Sequence, residues 1–124
     1  MARTTITVRA PHSVVLVGDP RGEPPSSLSG QTASATETCV AVGTLSEFDG
    51  ETHISLTDDP ISVANRPPIL VFQGVISIHG AELAVCSVTG DVYLKQRVHP
   101  GTTRVQVWVD DFSEPREIAI EALA

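Results

Sequence analysis

The histidines, cysteines and carboxylates of this 124-residue chain are the side chains that could bind a metal ion or activate a nucleophile. A metal centre on a scaffold of strands needs several histidines and a carboxylate that converge on inward-facing positions. The chain has no His-x-His pair, and its four histidines are scattered along the sequence: His12, His53, His79 and His99. The spacing therefore predicts no metal site.

Sequence motifs of catalysis are missing as well. The chain contains no Gly-x-Ser-x-Gly turn, no Gly-rich phosphate loop and no Cys/His nucleophile pair. Two pairs of adjacent carboxylates, Asp58-Asp59 and Asp110-Asp111, fall in turns, where such pairs usually cap or solvate the backbone. We therefore predict a protein that is not an enzyme, with no catalytic residue and no cofactor. An active site would require residues that converge only in three dimensions.

Negative charge is concentrated in one stretch of the sequence. No Lys or Arg occurs between Arg21 and Arg66, and the carboxylates of that stretch match the whole net charge of −7: Glu23, Glu37, Glu47, Asp49, Glu51, Asp58 and Asp59. A field of this sign repels nucleic acid and anionic membranes and attracts a basic protein. The alternative is a solvated surface that only keeps the protein in solution.

The turn around Asp49-Gly50 carries three of these carboxylates, Glu47, Asp49 and Glu51. They could cup a calcium ion, but the loop is much shorter than an EF-hand loop and has no closing acidic ligand. Asp-Gly supplies the positive φ that a hairpin turn needs. A charged hairpin turn is therefore the favoured interpretation.

Cys39 and Cys86 both lie in apolar runs, and two cysteines at this separation do not form a disulfide framework. We predict two buried, reduced thiols, with a single bridge between sheets as the alternative. The N-terminus alternates like a strand and lacks an apolar signal core, and no run is long enough to span a bilayer. These features predict a cytoplasmic protein.

The strand pattern predicts the elements that must position these residues. Period-two alternation, interrupted by turn residues every eight to twelve positions, indicates one all-β domain over residues 1–124, an antiparallel β-sandwich or jelly roll of about nine strands. The Pro-, Gly- and Ser-rich residues 18–35 predict a long loop. Gln73-Gly74 predicts a bulge, and residues 61–66 are either a short edge strand or a helical turn.

The same alternation predicts which side chains face the core: Val40, Val42, Ile54, Leu56, Val71, Ile76, Ile78, Leu83, Val85, Val105, Val107, Ile118 and Ile120. It also turns Trp108 outward, on the face opposite to Val107. Trp108 then either covers a second apolar layer or is exposed, and exposed tryptophans are enriched at binding surfaces.

From residue 67 to the end, the pattern resembles a group of small bacterial β-sandwich proteins that is similar to the competence-associated nuclease-inhibitor family. The resemblance is carried by a hairpin, then by a Gly turn and strand, and then by the last strand: Ile76–Ile78 with Ala81–Cys86, His99–Val109, and Glu114–Ile120. It implies a β-sandwich that binds a protein in an inhibitor or immunity role, without a cofactor. Thr103 replaces the aromatic residue expected after the turn, and Ala122–Ala124 replaces a terminal Leu-Trp-Pro.

The leading hypothesis is an acidic protein-interaction module, an inhibitor or immunity protein for a basic enzyme such as a nuclease. The partner-binding residues would be Glu47, Asp49, Glu51, Asp58, Asp59, Arg104, Gln106 and Trp108. One rival is a β-sandwich that binds a small ligand or carbohydrate, with Trp108 as the stacking platform. A cupin-like enzyme is the third alternative. The sequence leaves the partner and the oligomeric state open.

Overall fold

The computed structural model describes residues 3–28 and 30–123. Within them the chain forms ten strands and two single 3₁₀ turns, Pro11–Ser13 and Val63–Asn65. The strands are β1 (Arg3–Val8), β2 (Val14–Gly18), β3 (Ala33–Ala35), β4 (Cys39–Gly43), β5 (Thr52–Thr57), β6 (Ile69–Ile78), β7 (Glu82–Ser87), β8 (Val92–Arg97), β9 (Gly101–Val109) and β10 (Glu117–Leu123). The predicted all-β sandwich is confirmed, with one strand more than expected.

The strands form two five-stranded sheets that pack face to face. Sheet A has the order β1-β5-β10-β9-β6, and sheet B has the order β3-β4-β2-β7-β8. All the pairs are antiparallel except β5 with β10, which are parallel. This parallel pair joins two strands about sixty residues apart in sequence, and it decides which loops become neighbours.

The core lies between the sheets and is built almost entirely from aliphatic side chains. Every predicted core residue is buried except Val71, which is half-buried and packs against the core from the side. The register of β6 against β9 shifts between Leu70 and Phe72, so Val71 is the extra residue of a bulge.

The bulge at Val71 corrects the prediction of a bulge at Gln73-Gly74. Gly74 is in register with Val105 of β9. A Cβ at Gly74 would lie 3.0 Å from the Phe72 ring. This glycine therefore marks the close approach of an aromatic ring and not a break in pairing.

Two further predictions are refined by the structure. Residues 33–35, within the range predicted as loop, form the short strand β3, because their backbone pairs with β4. Of the two interpretations of residues 61–66, the structure has the helical turn, over Val63–Asn65.

Asp19 ties the loop after β2 to the turn between β6 and β7. Its Oδ1 accepts a hydrogen bond from the Arg21 amide at 2.9 Å, and its Oδ2 accepts one from the His79 amide at 2.9 Å. Burial raises the pKa of Asp19, but these backbone hydrogen bonds outweigh burial, and the net pKa lies below 3.8. The carboxylate is therefore held in its charged form.

Replacing Asp19 should cost stability in a way that depends on pH. We expect Asp19→Ala to lower the free energy of unfolding by about 1 kcal/mol at neutral pH, because two partly buried backbone amides lose their acceptor. Because the pKa of this carboxyl is lower in the folded state, it stabilises the protein at pH values above its pKa in the unfolded chain. This stability is lost as pH falls through the pKa of the folded state. Urea unfolding of parent and variant at pH 7 and near pH 3 should show the difference shrinking in acid. An equal difference at both pH values would contradict this role.

Candidate functional site

One end of the sandwich collects most of the negative charge. The β5 register against β1, β10 and β9 places Val8, Thr52, Glu117 and Val109 at the same end of sheet A. The short connections from β1 to β2 and from β4 to β5 bring the matching end of sheet B to it. We call this region the acidic end; it comprises residues 9–13, 44–51, 88–91 and 110–117.

The charges of the acidic end are strongly unbalanced. It carries two arginines, Arg9 and Arg116, and no lysine, and a third arginine, Arg66, lies close to it over Trp108. Against these stand eight carboxylates: Glu47, Asp49, Glu51, Asp91, Asp110, Asp111, Glu114 and Glu117. The rest of the chain holds the other seven acidic and six basic side chains, which nearly cancel. Almost the whole net charge of −7 therefore belongs to one end of the molecule.

The loop from residue 110 to 116 is held in shape by its own carboxylates. Asp110 Oδ1 accepts hydrogen bonds from the Arg116 and Glu117 amides at 2.9 and 3.0 Å. Asp111 Oδ1 accepts them from the Glu114 and Ser113 amides at 3.1 and 2.7 Å. These hydrogen bonds, the one from Glu114 first, lower the pKa of Asp111. The loop therefore presents its carboxylates from an ordered backbone.

The loop from residue 44 to 51 is anchored beside it. This loop joins β4 of sheet B to β5 of sheet A, and these two strands do not pair, so the prediction of a hairpin turn at Asp49-Gly50 is wrong: the turn is a connection between the sheets. The Leu45 amide donates to the Pro115 carbonyl at 2.8 Å, and Arg9 Nη1 donates to the Glu47 carbonyl at 2.8 Å. Each of the two loops also exposes an aromatic side chain: Phe48 is 87% exposed and Phe112 is 63% exposed. The acidic end thus combines carboxylates with apolar side chains available for contact.

The structure separates the acidic residues that the sequence grouped together. Glu47, Asp49 and Glu51 belong to the acidic end, whereas Asp58 and Asp59 follow the other end of β5. Glu23 and Glu37 lie at that opposite end too, since the Glu37 carbonyl accepts from Ser77 near the end of β6. A six-residue strand is about 20 Å long, so the two groups cannot form one small contact patch.

Trp108 lies beneath a covering segment on the outer face of sheet A. It is 5% exposed and forms a small apolar cluster with Ile61 and Ala119. The Arg66 guanidinium carbon stands 4.4 Å from the centre of its ring. Of the two alternatives for Trp108, the structure has the second apolar layer, which leaves little of this ring for a partner or a stacked sugar.

Arg104 and Gln106 lie farther along the same face. Arg104 is exposed and Gln106 is half-buried, and both line a shallow cavity of about 190 Å³. Glu121 forms one wall, and its Oε2 accepts a hydrogen bond from the Ile61 amide at 2.7 Å. Small-molecule sites usually enclose about 300–1,000 Å³, so this cavity is small for a ligand.

Within residues 3–28 and 30–123, no group of three or more His, Cys, Asp or Glu side chains comes together in a way that could hold a metal ion. In particular, the carboxylates of the turn at Asp49-Gly50 do not converge on a common point. No helix in the described part of the chain has the length and apolar character needed to cross a bilayer.

Cys39 and Cys86 are both free thiols, as predicted, but only Cys39 is buried as predicted, since Cys86 is half-buried. They lie in sheet B on β4 and β7, the two strands that flank β2. Strands two apart are separated by about 9–10 Å, whereas a disulfide needs Cα atoms within about 7 Å. The alternative of a bridge between the two sheets therefore does not apply.

Both thiols should react slowly in the folded protein. Burial raises the pKa of Cys39 to about 11, and burial also raises the pKa of Cys86, although the charge of Lys95 opposes it. Since the thiolate is the reactive species, we expect slow alkylation at pH 8, with the half-buried Cys86 labelled before Cys39. Mass spectrometry of timed samples, with a urea-unfolded control that labels at once, would measure this. Rapid native labelling of Cys39 would contradict it.

Sequence reasoning did not find the second half of the acidic end or its aromatic side chains. Asp110-Asp111 lies in a loop, as the sequence predicts, but nothing local connects that loop to the one around Asp49. The one available signal was an aromatic residue between carboxylates in both loops: Glu47-Phe48-Asp49 and Asp111-Phe112-Ser113-Glu114.

Comparisons with known proteins establish the fold. No family model matches the sequence, and no curated protein gives a significant match. The structure superposes on ComJ of Bacillus subtilis, an inhibitor of the DNA-degrading activity of NucA, with a TM-score of 0.72 and 10% identity, over 98% of this chain and 95% of ComJ. It also superposes on a protein described as crocagin biosynthetic gene J, with a TM-score of 0.55 and 12% identity, over 98% of both chains. The fold implied by the resemblance is therefore confirmed.

Proposed function

We propose that this protein is a non-enzymatic inhibitor that binds a basic enzyme, such as a nuclease, through its acidic end. The observation that carries the proposal is the placement of eight carboxylates and two arginines on one end of a sandwich whose other charges nearly cancel. A nuclease must present a positive surface to the phosphate backbone of its substrate. Carboxylates held on a rigid scaffold can occupy such a surface in place of phosphates.

The fold likeness supports the same class of function. ComJ inhibits the DNA-degrading activity of NucA, and it shares this chain's fold over nearly its full length. At 10% identity the likeness does not transfer contact residues. For this chain we therefore propose contacts from its own geometry, with the carboxylates of the two loops and the exposed Phe48 and Phe112 in the interface.

Aromatic side chains would add affinity, whereas the charges would mainly raise the association rate. Interfaces draw most of their binding energy from a few buried aromatic and Arg anchors, surrounded by polar contacts. Phe48 and Phe112 lie among the carboxylates and face water in the free protein, so burying their rings against a partner removes apolar surface from water and favours binding. A basic partner with an apolar pocket would match this arrangement. The two free thiols agree with a reducing compartment, so we propose a cytoplasmic location.

The proposal is tested by capture and inhibition together. The tagged protein is used to recover partners from its native host, and each recovered enzyme is assayed for DNA degradation with and without the purified protein. We expect a stoichiometric complex with a basic nuclease and loss of its activity in proportion to complex formed. Recovery of enzymes whose activity is unchanged by saturating protein would overturn the proposal.

A further inference from the structure

Strand β6 differs from the other edge strands of the sandwich. Edge strands of stable monomers are usually short or carry charged residues that discourage pairing with another chain. Here β3 has three residues, β1 carries Arg3, and β8 carries Lys95 and Arg97. By contrast, β6 has ten residues with no charge, and its outer face exposes Leu70 and Val75, at 44% and 56%.

The middle of the β6 edge has backbone groups that point away from the sheet. The Ser77 amide donates to the Glu37 carbonyl at 2.7 Å, across the edge that faces away from β9. Alternate residues of an antiparallel strand direct their amides to the same side, so Gln73 and Val75 face that open edge as well. Within the described residues, no hydrogen bond from another segment reaches either of these two amides.

Both ends of the β6 edge lie beside the chain's own loops. The Glu37 carbonyl covers the end at Ser77. At the other end, an open groove of about 570 Å³ separates Leu70 and Val71 from residues 30–33, with Phe112 beside it. The free part of the edge is therefore about five residues long, from Phe72 to Ile76.

We propose that a second copy of this chain pairs with β6 through Phe72–Ile76, antiparallel and about a two-fold axis at Gly74. This proposal is independent of the proposed inhibitor function. Gln73 of one copy lies opposite Val75 of the other, and each such pair exchanges two backbone hydrogen bonds. The result is one continuous ten-stranded sheet across the dimer.

The side chains of this segment suit pairing with itself. At the axis, two residues of a non-hydrogen-bonded pair approach to about 4.5 Å between Cα atoms, and Gly74 has no side chain to obstruct them. On the outer face the two Val75 side chains are diagonal neighbours and cover exposed apolar surface. The pairing is self-complementary, as a two-fold interface requires.

The charge distribution is compatible with a second copy in this orientation. Each copy carries a net charge of −7, concentrated at the acidic end, which lies next to Ile69. Antiparallel pairing about Gly74 separates the two Ile69 residues by about 33 Å along the strands. This is several times the Debye length of about 8 Å at physiological salt, so the two acidic ends repel each other weakly.

Sedimentation velocity of the purified full chain tests the proposal directly. At physiological salt and about 1–200 µM protein, we expect a reversible shift from 13.1 kDa towards twice that mass. Val75→Lys places like charges beside each other across the axis and should weaken the association at least about tenfold. Val92→Lys is the matched control, because Val92 is a similarly exposed valine, at 49%, on the β8 edge.

The outcomes separate the alternatives for this edge. Loss of the dimer in Val75→Lys with its retention in Val92→Lys, both variants unfolding at the parent's temperature, supports pairing through β6. A parent chain that stays monomeric at every concentration overturns the proposal and leaves the edge to a strand from another protein. A dimer that Val75→Lys leaves intact overturns it too, because the interface must then lie elsewhere.

Discussion

Neutralising the carboxylates of loop 44–51 at the acidic end should slow association with a basic partner about tenfold at low salt. The variant carries Glu47→Gln, Asp49→Asn and Glu51→Gln. Its association rate should also depend less on salt than that of the parent, because fewer charges remain to be screened. Charges at the rim of an interface act mainly on the association rate, so the dissociation rate should change less.

A second triple variant isolates position from net charge. Glu23→Gln, Glu37→Gln and Asp59→Asn change the net charge by the same amount but lie at the opposite end of the sandwich. We expect this control to keep an association rate close to the parent's. Asp110 and Asp111 are left unchanged in both variants, because they hold the backbone of their loop.

Stopped-flow or surface kinetics with the enzyme recovered by capture, at low and at moderate salt, would measure these rates. The free energy of unfolding should stay within about 0.5 kcal/mol in both variants, since the substituted carboxylates lie at the surface. Equal slowing by the two variants would show that total charge matters and the acidic end does not. Unchanged rates in both would remove the acidic end from the proposed interface.

Removing the Trp108 side chain should have the largest effect on stability among the substitutions considered. We expect Trp108→Ala to lower the free energy of unfolding by about 3–5 kcal/mol, as for other buried aromatic residues. The indole supports Ile61 and Ala119 and carries the Arg66 guanidinium, so its loss also loosens the segment that covers sheet A. Urea unfolding followed by circular dichroism gives the value without relying on tryptophan fluorescence.

The control lies beside Trp108 on β6. Leu70 is paired with Trp108 across the sheet but is 44% exposed, so Leu70→Ala should cost about 1 kcal/mol or less. If Trp108→Ala leaves the protein unfolded, Trp108→Phe can be measured instead, because it keeps part of the packing. Its loss in free energy of unfolding should lie between those expected for Leu70→Ala and Trp108→Ala. A loss under about 0.5 kcal/mol in Trp108→Ala would show that this ring is not a structural element of the second layer.

The strands and their inner faces could be predicted from the sequence because their cause is local. Side chains of a strand alternate between two faces, so Val105 and Val107 identify the core side of β9 without knowledge of its neighbours. A register error of one residue would have exposed the whole set. The exception, Val71, lies where a bulge interrupts this alternation, and the Gly74 signal that suggested a bulge reflects the Phe72 ring instead.

The composition of the site was decided by tertiary structure. Loop 110–116 meets loop 44–51 only because β10 pairs in parallel with β5, and no property of either segment alone indicates this pairing. The same strand order sends Asp58 and Asp59 to the opposite end, although they are close to Glu51 in sequence. Trp108 is outward-facing, as its alternation predicts, but it is buried because residues around Ile61 fold back over the sheet. A sequence pattern determines which way a side chain points, while the strand order and the path of the loops determine what it meets there.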